Sequence, residues 1–337
     1  MGQRATELKV AVTGGGGFLG RRIVEMLRAR GTQVRSISRG SYPELEALDV
    51  ECRQADLSDK SAVHAALEGV DAVVHVAAKA GVWGKRSDFM STNLTGTENV
   101  LAACSSQGIK RLVYTSSPSV CFDGQDHLNA GNDLPRAQRF LSPYPESKAL
   151  AEALVLEADS PQLATVALRP HLIFGPRDPH LVPRLLESAA QGRLRRIGDG
   201  RNEVSLTHVD NAAWAHVCAL RALEPGAACA GQAYFVCNRE SVRLWDWINA
   251  LLGNLGRTPV ERRTPLGLAR MAGALCEAGW KVLPLKGEPP ITRFVALQLA
   301  RSHSYDLAPL ERDLGYRERL DMATATAQLV ADLRRRR

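Results

Sequence analysis

The chain has 337 residues, of which 45% are apolar and 5% aromatic, and its formal net charge is +7. This apolar content is enough for a large core, and the length predicts one large domain with an appended lobe, or two domains. Acidic residues are interspersed with the basic ones, and few aromatic side chains are available for stacking on bases, which argues against a nucleic-acid partner.

The sequence predicts a cytoplasmic protein. Residues 1–9 lack the apolar core of a signal peptide, and no uncharged apolar run is long enough to span a bilayer. Seven cysteines without a CxxC pair indicate a reducing compartment. The histidines are scattered, so no metal site is predicted. The arginines at 334–337 predict a frayed, solvated tail, and its contact with a membrane or a partner stays open.

Apolar runs and helix-like stretches alternate through the first half of the chain. The predicted strands are 8–12, 33–38, 50–55, 72–76, 111–115 and 164–168. The predicted helices are 19–29, 61–67, 89–105 and 147–157. Continuous apolar strands separated by helices predict an α/β fold, a Rossmann-type doubly wound parallel sheet covered on both faces.

The pattern loosens after Pro170. We expect a helix over 181–190, a helix that opens near 209 with Asp210 as its cap, and a late strand of the main sheet over 234–236. From Leu244 onward the chain is mostly helical, which predicts a smaller C-terminal substrate lobe. The predicted boundaries are 1–175 with 203–240 for the Rossmann domain, 176–202 and 241–330 for the substrate-binding lobe, and 331–337 for the basic tail.

A glycine-rich turn lies between the first strand and the first helix. Gly14, Gly17 and Gly20 have the spacing GxxGxxG, with Phe18 and Leu19 inside the turn. Such a turn lets the backbone approach a pyrophosphate, and the following helix offers free N–H groups and the positive end of its dipole. We therefore expect a dinucleotide at these five residues.

The end of the second strand is expected to select the dinucleotide. NAD sites usually place an acidic residue there, whereas this chain has Ser38 and Arg39. Arg39 can pair with a 2′-phosphate through two hydrogen bonds, so the sequence favours NADP(H) over NAD(H). Asp56 and Leu57, after the third strand, are expected at the adenine, with helix capping as the alternative role of Asp56.

Tyr144 and Lys148 lie at positions i and i+4 and share one face of a helix that Ser142 is expected to cap. A free tyrosine has a pKa of about 10, and we expect the Lys148 ammonium to lower that of Tyr144. Ser117, after the fifth strand, is the predicted second donor to a carbonyl oxygen, because ligands bind at the carboxyl ends of parallel strands. The alternative is a packed tyrosine with a snorkelling lysine.

These motifs resemble the extended short-chain dehydrogenase/reductase superfamily, and within it the 3β-hydroxysteroid dehydrogenase branch. Further motifs that carry the resemblance are His75-Val76-Ala77-Ala78, Asn93-Leu94-Thr95-Gly96-Thr97, Leu168-Arg169-Pro170 and Val209-Asp210-Asn211-Ala212. The resemblance implies that Ala77 and Ala78 lie along the cofactor, that Asn93 supports the site, and that the stretch from Pro170 to Ile173 lines the nicotinamide.

The segments 39–45, 77–84, 115–120 and 198–200 are similar to a group of bacterial reductases of long-chain olefin biosynthesis. That resemblance implies NADPH-dependent reduction of the 3-keto group of a hydrophobic 2-alkyl-3-ketoacid to the 3-hydroxyacid. It also implies assembly with β-lactone-forming and decarboxylating enzymes, while a homodimer and a peripheral membrane contact stay open.

Two alkyl chains need an apolar groove, for which the segment 266–285 with Trp280 is the predicted roof. The substrate carboxylate needs a cation, for which Lys79, Arg177 and Arg184 are the candidates.

Three alternatives stay open. A 3β-hydroxysteroid or sterol-carboxylate dehydrogenase would keep the fold and oxidise an alcohol. Sugar-nucleotide dehydratases place Asp-Glu where this chain has Pro118 and Ser119, and epimerases prefer an acid near Ser38, so both are disfavoured. A non-catalytic NADP(H) sensor generally lacks the tyrosine–lysine pair.

Overall fold

A computed structural model describes residues 8–283, 285 and 287–336. The expectations for residues 1–7 and Arg337, and for Pro284 and Lys286 near the end of the predicted roof, lie outside this range. The strands are β1 (Lys9–Thr13), β2 (Gln33–Ser38), β3 (Glu51–Gln54), β4 (Ala72–His75), β5 (Arg111–Thr115), β6 (His127–Ala130), β7 (Ala164–Pro170), β8 (Ile173–Phe174), β9 (Arg196–Ile197), β10 (Glu203–Ser205), β11 (Thr207–His208), β12 (Gln232–Val236), β13 (Ser241–Arg243), β14 (Arg263–Thr264) and β15 (His303–Tyr305).

Helices alternate with these strands through the first half and dominate the second. The helices are α1 (Phe18–Arg28), α2 (Pro43–Glu46), α3 (Lys60–Leu67), α4 (Arg86–Phe89), α5 (Gly96–Gln107), α6 (Pro143–Glu157), α7 (Leu181–Ala190), α8 (Val209–Ala222), α9 (Leu244–Asn254), α10 (Leu266–Val282), α11 (Arg293–Gln298), α12 (Ala308–Leu314) and α13 (Met322–Arg335). A π-helical turn, Met90–Thr95, joins α4 to α5, and a 3₁₀ helix, Pro118–Cys121, follows β5.

The main sheet confirms the predicted Rossmann-type fold. Its order is β3-β2-β1-β4-β5-β7-β12, and all neighbouring pairs are parallel. The chain adds β2 and β3 on one side of β1 and then returns to add β4 on the other side. The loops after β1 and β4 therefore diverge, and the crevice between them is where sheets of this kind bind ligands.

Both faces of the sheet are covered, as the continuous apolar strands predict. Val10 and Val12 on β1 face one core with α1 and α8, whereas Ala11 between them faces a second core with α3, α5 and α6. This alternation follows from the two-residue period of a strand. The expected strand over 234–236 is confirmed as part of β12, at the edge beside β7.

A separate core lies in the second half of the chain. Trp245 and Leu251 of α9 pack there with Leu329 of α13. Val204 of β10 also packs in this core, although the stretch 203–240 was expected to belong to the Rossmann domain. Conversely, Leu310 of α12 packs against the main sheet, although 241–330 was expected to belong to the substrate-binding lobe. The domain boundaries given above stay a prediction.

The helix expected over 89–105 is interrupted. It consists of α4, the π-helical turn and α5. The π-helical turn has one more residue per hydrogen-bonded ring than an α-helix, and this interrupts the regular helix. Asn93 lies in this turn and is buried.

The expected cap Asp210 is wrong, whereas Ser142 is the N-cap residue of α6 as expected. Nδ1 of His208 accepts a hydrogen bond from the backbone N–H of Asp210, whose carboxylate instead binds Arg22 of α1 at 2.7 and 2.8 Å. Ser142 does precede α6, but its hydroxyl donates to the carbonyl of Val82 and not to the helix.

The C-terminal arginines do not form a frayed tail within the described residues. Helix α13 continues to Arg335, Arg334 donates to the carbonyl of Asn254, and Arg336 pairs with Asp332 at 2.8 Å. In the part of the chain that the structure describes, no helix is long and apolar enough to cross a bilayer.

The second core should make a measurable contribution to stability. Leu251 is fully buried, so Leu251→Ala is expected to lower the free energy of unfolding by about 2–5 kcal/mol through lost burial and an unfilled cavity. Urea titration followed by circular dichroism measures this change. Leu128, which is 63% exposed, provides the matched control, and an equal loss in Leu128→Ala would contradict the assignment of this core.

Candidate active site

A cleft of about 1000 Å³ follows the carboxyl ends of the main-sheet strands. Every residue predicted to bind cofactor or to act in catalysis lines this one cleft. These residues are Gly14, Gly17, Phe18, Leu19, Gly20, Arg39, Asp56, Leu57, Ala77, Ala78, Ser117, Tyr144, Lys148, Pro170 and Ile173. The structure thus brings together residues that are far apart in the sequence, from Gly14 to Ile173. Their individual roles stay predictions.

The glycine turn forms one end of the cleft. Gly14 has φ +68°, and a Cβ there would lie 2.9 Å from Cα of Ala77. A Cβ at Gly20 would overlap the carbonyl oxygen of Gly14, so the first turn of α1 can pack on the loop only without a side chain. No side chain caps α1 at Gly17. The loop therefore has the close backbone approach and the uncapped helix N-terminus that a pyrophosphate requires.

The outer end of the cleft contains Arg39 and Asp56. No carboxylate among the described residues lies within ion-pairing distance of Arg39. The Asp56 carboxylate accepts hydrogen bonds from the N–H and the hydroxyl of Ser58, which lower its pKa. The cap of α3 is Asp59, which leaves Asp56 beside the cleft. Tyr42 also lines this end and was not predicted from the sequence.

The tyrosine and the serine meet at the inner end. Tyr144 lies in the first turn of α6, and the interaction of its hydroxyl with Ser117 lowers the pKa of the phenol. Burial has the larger effect and raises that pKa above the ordinary value. Ser117 is within 2.9 Å of the hydroxyl of Ser119. The phenol therefore stays protonated at neutral pH and can act as an acid.

Lys148 is buried and does not act on Tyr144 as the sequence analysis expected. Its Nζ donates to the backbone carbonyl of Thr115 at 2.6 Å and lies 4.1 Å from the ring centroid of Tyr114. Burial lowers the pKa of Lys148 to about 7. The expected lowering of the Tyr144 pKa by this lysine is wrong here, because the ammonium is directed at the end of β5.

The sequence did not predict the buried ion pair of Glu152 and Arg169, which lies behind Lys148. Glu152 lies one turn further along α6 and accepts two hydrogen bonds from Arg169, at 2.7 and 2.8 Å. It also accepts one from the hydroxyl of Ser116 at 2.6 Å. The Glu152 carboxylate raises the pKa of Lys148 against the larger effect of burial. The spacing of Tyr144, Lys148 and Glu152 by four residues was the available signal, since it places all three on one helix face.

Asn93 connects the loop after β4 to the catalytic helix. Its amide group donates to Ser147 Oγ at 2.9 Å and to the carbonyl of Lys79 at 3.0 Å, and its Oδ1 accepts from the N–H of Lys79 at 2.7 Å. Ser147 in turn donates to the carbonyl of Tyr144 at 2.8 Å. These bonds fix the position of the first turn of α6, in agreement with a supporting role for Asn93.

His75 connects the two strands at the crevice. One ring nitrogen is 2.7 Å from the hydroxyl of Thr13 at the end of β1, and the other is 3.0 Å from the hydroxyl of Thr97 in α5. Burial lowers the pKa of His75 to about 3, so the ring is neutral. His75 is a structural residue that fixes the spacing of β1 and β4.

Two further histidines are buried as neutral rings. Nδ1 of His171 lies 2.6 Å from the carbonyl of Ser205, and burial lowers the pKa of His171 to about 4. His216 of α8 lies 2.7 Å from the hydroxyl of Thr115, and burial lowers its pKa to about 4. Neither histidine lines the cleft.

The structure does not select a cation for the substrate carboxylate, and no residue of α10 is among those that line the cleft. The roof predicted over 266–285 for an apolar substrate groove stays a prediction. Each of the three candidate cations is paired with an acid: Lys79 with Asp88, Arg177 with Glu25, and Arg184 with Glu288.

The Glu152 carboxylate should set the pH range of activity. In Glu152→Gln the charge that raises the pKa of Lys148 is lost, so this pKa should fall below about 7. If activity needs the ammonium, the alkaline limb of the pH profile of kcat/KM should move to lower pH. The exposed acid Glu157 on the same helix is the control, as Glu157→Gln. An unmoved profile in Glu152→Gln, with folding verified by thermal melting, would contradict this assignment.

Comparisons with known proteins place the chain among oxidoreductases. The model of the 3-beta hydroxysteroid dehydrogenase/isomerase family matches residues 11–267. A 2-alkyl-3-oxoalkanoate reductase of Stenotrophomonas maltophilia is 49% identical over 92% of this chain and 94% of its own length. A protein of the same name from Shewanella oneidensis is 44% identical, over 96% of this chain and 85% of its own. The mouse sterol-4-alpha-carboxylate 3-dehydrogenase, decarboxylating, is 34% identical, over 96% and 90%.

Solved structures share the fold at lower identity. The crystal structure of gox2253 has a TM-score of 0.78 and 24% identity, covering 98% of this chain and 99% of that one. The UDP-glucuronic acid 4-epimerase of Bacillus cereus, solved in complex with NAD, has a TM-score of 0.74 and 20% identity, covering 97% and 99%. These likenesses support the α/β architecture described above.

Proposed function

Since the chain belongs to the 3-beta hydroxysteroid dehydrogenase/isomerase family, we propose that it is an NADPH-dependent reductase. Its proposed reaction reduces the 3-keto group of a 2-alkyl-3-oxoalkanoate to the 3-hydroxyacid. The observation that carries the proposal is the convergence of Ser117, Tyr144 and Lys148 at one end of a cleft whose other end is the glycine turn. The two relatives named 2-alkyl-3-oxoalkanoate reductase support this substrate class over a sterol, because the sterol enzymes are more distant.

The cleft fits a dinucleotide phosphate. Gly14 and Gly20 allow the tight turn that leads into the uncapped N-terminus of α1, where a pyrophosphate would lie. Arg39, which pairs with no acid among the described residues, lines the cleft where the 2′-phosphate of NADP(H) would lie. Asp56 and Leu57 flank the adenine end, while Ala77, Ala78, Pro170 and Ile173 line the way to Tyr144. When bound, a reduced nicotinamide supplies the hydride that the ketone carbon accepts.

The side chains of the chain supply the proton and the polarisation. Tyr144 gives its phenolic proton to the ketone oxygen, which becomes the hydroxyl of the product. Its raised pKa suits this role, because the group is protonated before the reaction. Ser117 donates a hydrogen bond to the same oxygen and stabilises the negative charge that develops there. Lys148 lines the same end of the cleft, where its Nζ donates to the carbonyl of Thr115, and would hold the nicotinamide ribose.

The finer features of the biological setting stay predictions. We propose association with the β-lactone-forming and decarboxylating enzymes that would consume a 3-hydroxyacid, a homodimer, and a cytoplasmic location.

Removal of the Tyr144 hydroxyl should separate binding from chemistry. Tyr144→Phe is expected to lower kcat by about 10²–10⁴-fold, the usual contribution of a positioned general acid, while the Kd for NADPH stays nearly unchanged. Loss of NADPH absorbance with a 2-alkyl-3-ketoacid measures turnover, and fluorescence titration measures binding. Near-normal turnover would remove Tyr144 from the mechanism, and turnover of a sterol but not of the ketoacid would favour the dehydrogenase alternative.

Arg39 should determine the preference for NADPH. Arg39→Gln removes a charge-assisted pair worth about 1.5–3 kcal/mol, so the Kd for NADPH should rise by about 10–100-fold while that for NADH changes little. Arg53→Gln is the matched control, because Arg53 is an exposed arginine that pairs with Glu51 and does not line the cleft. Equal losses for NADPH and NADH in Arg39→Gln would contradict the role of Arg39.

A further inference from the structure

His216 is a histidine of α8 that lies outside the cleft and contacts a strand whose end forms it. The side chain is fully buried, and its Nε2 lies 2.7 Å from the hydroxyl oxygen of Thr115. Thr115 is the last residue of β5 and lines the cleft. The contact therefore joins α8 to the catalytic end of the cleft.

The direction of this hydrogen bond follows from the other ring nitrogen. Nδ1 of His216 lies 2.8 Å from the carbonyl oxygen of Ala212, one turn earlier in α8. A carbonyl oxygen only accepts, so Nδ1 carries a proton. Burial lowers the pKa of His216 to about 4, so the ring carries no second proton at neutral pH. Nε2 is therefore an acceptor, and the hydroxyl of Thr115 donates to it.

His216 and Lys148 reach Thr115 from opposite faces of the main sheet. Side chains alternate along a strand, and Val113 packs in the core that contains α8, whereas Tyr114 packs in the core that contains α6. The side chain of Thr115 continues this alternation and reaches His216. Lys148 comes from the other face, where its Nζ lies 4.1 Å from the ring centroid of Tyr114.

The backbone carbonyl of Thr115 is available to Lys148 because β4 ends opposite the preceding residue of β5. The next N–H groups of the chain after β4 are those of Val76 and Ala77. Both donate to the hydroxyl of Thr13, at 3.1 and 3.2 Å, and not to β5. The Thr115 carbonyl instead accepts from Nζ of Lys148 at 2.6 Å.

The peptide group between Thr115 and Ser116 is held from two sides. Its N–H, that of Ser116, donates to the carbonyl of Leu168 on β7 at 2.6 Å. On the other side, the hydrogen bond to His216 fixes the hydroxyl of Thr115. A β-branched side chain is stiff about its first bond, so a fixed hydroxyl also restrains the backbone to which it is attached.

We propose that His216 is a positioning residue for Lys148. By accepting the hydrogen bond of Thr115, it holds the carbonyl to which Nζ of Lys148 donates, and so determines where this amine lies in the cleft. The consequence for turnover rests on the proposed function, in which Lys148 holds the nicotinamide ribose. A displaced amine would leave the cofactor poorly aligned with Tyr144, and misplacement of this kind lowers kcat by about 10–100-fold.

The test compares variants that remove or restore the acceptor. His216→Leu removes it at similar volume, and its kcat, measured by loss of NADPH absorbance with a 2-alkyl-3-ketoacid, should fall by about 10–100-fold. His216→Gln places an amide oxygen near the position of Nε2 and should stay within ~3-fold of the unchanged chain.

Thr115→Val removes the donor of the same bond with little change of shape. It should match His216→Leu, and it provides the test if His216→Leu does not fold. The double variant should be no slower than the slower single variant, because both substitutions remove one interaction.

Val113→Ala is the matched control for lost packing. Val113 is fully buried and lies on the same face of β5 as Thr115, two residues earlier. This variant should lower the melting temperature and leave kcat nearly unchanged.

The amine of Lys148 provides a readout that needs no turnover. In a chain labelled with ¹⁵N-lysine, at a pH below the Lys148 pKa of about 7, a buried and hydrogen-bonded Nζ exchanges its protons slowly and gives a ¹H–¹⁵N signal. Lys148→Arg identifies the signal by its loss. The signal should persist in His216→Gln and Val113→Ala, and it should shift or disappear in His216→Leu and Thr115→Val.

Three outcomes would overturn the proposal. The first is an unchanged Lys148 signal in both His216→Leu and Thr115→Val. The second is an equal loss of kcat in His216→Gln and His216→Leu, and the third is an equal loss in Val113→Ala. Failure of the unchanged chain to reduce the ketoacid would overturn the proposed function, and the Lys148 signal would still decide the role of His216.

Discussion

The buried carboxylate of Glu152 holds together the three segments that form the catalytic end of the cleft. It binds Ser116 at the end of β5 and Arg169 at the end of β7, and it lies one turn from Lys148 on α6. Two cations and one acid are enclosed here, and removal of one partner from a buried pair typically costs about 3–5 kcal/mol. Glu152 thereby connects the ends of β5 and β7 to α6, the helix that carries Lys148, and its charge raises the pKa of Lys148 against the effect of burial.

Most of the main sheet could be predicted from the sequence because buried parallel strands are continuous apolar runs. The strand 33–38 coincides with β2, and the strand 111–115 coincides with β5. The position of the cleft could also be predicted, since the carboxyl ends of parallel strands meet at one edge of the sheet. Residues after β1, β2, β3, β4, β5 and β7 line it as expected. Topology thus supplies the long-range contacts that no local pattern contains.

Features that depend on the direction of one side chain could not be predicted. The spacing of Tyr144 and Lys148 gives a shared helix face but does not reveal that Lys148 binds a backbone carbonyl. The apolar content of α10 fits either a helix packed over apolar surface or an interfacial segment, and the close contact of Gly273 with the backbone of Thr292 and Arg293 shows which side faces the protein. The π-helical turn at Asn93 has no periodic signal, because it changes the helical repeat by one residue.

The neutral histidines make the folded chain sensitive to acid. His75, His171 and His216 have pKa values of about 3, 4 and 4, whereas an unfolded chain would protonate each near its ordinary value of about 6.5. Below about pH 6.5 the unfolded chain binds more protons than the folded one. The free energy of unfolding therefore decreases by ~1.4 kcal/mol for each imidazole and each pH unit, until the folded pKa is reached. Residues that take no part in the proposed chemistry thereby limit the range of acidity in which the enzyme can exist.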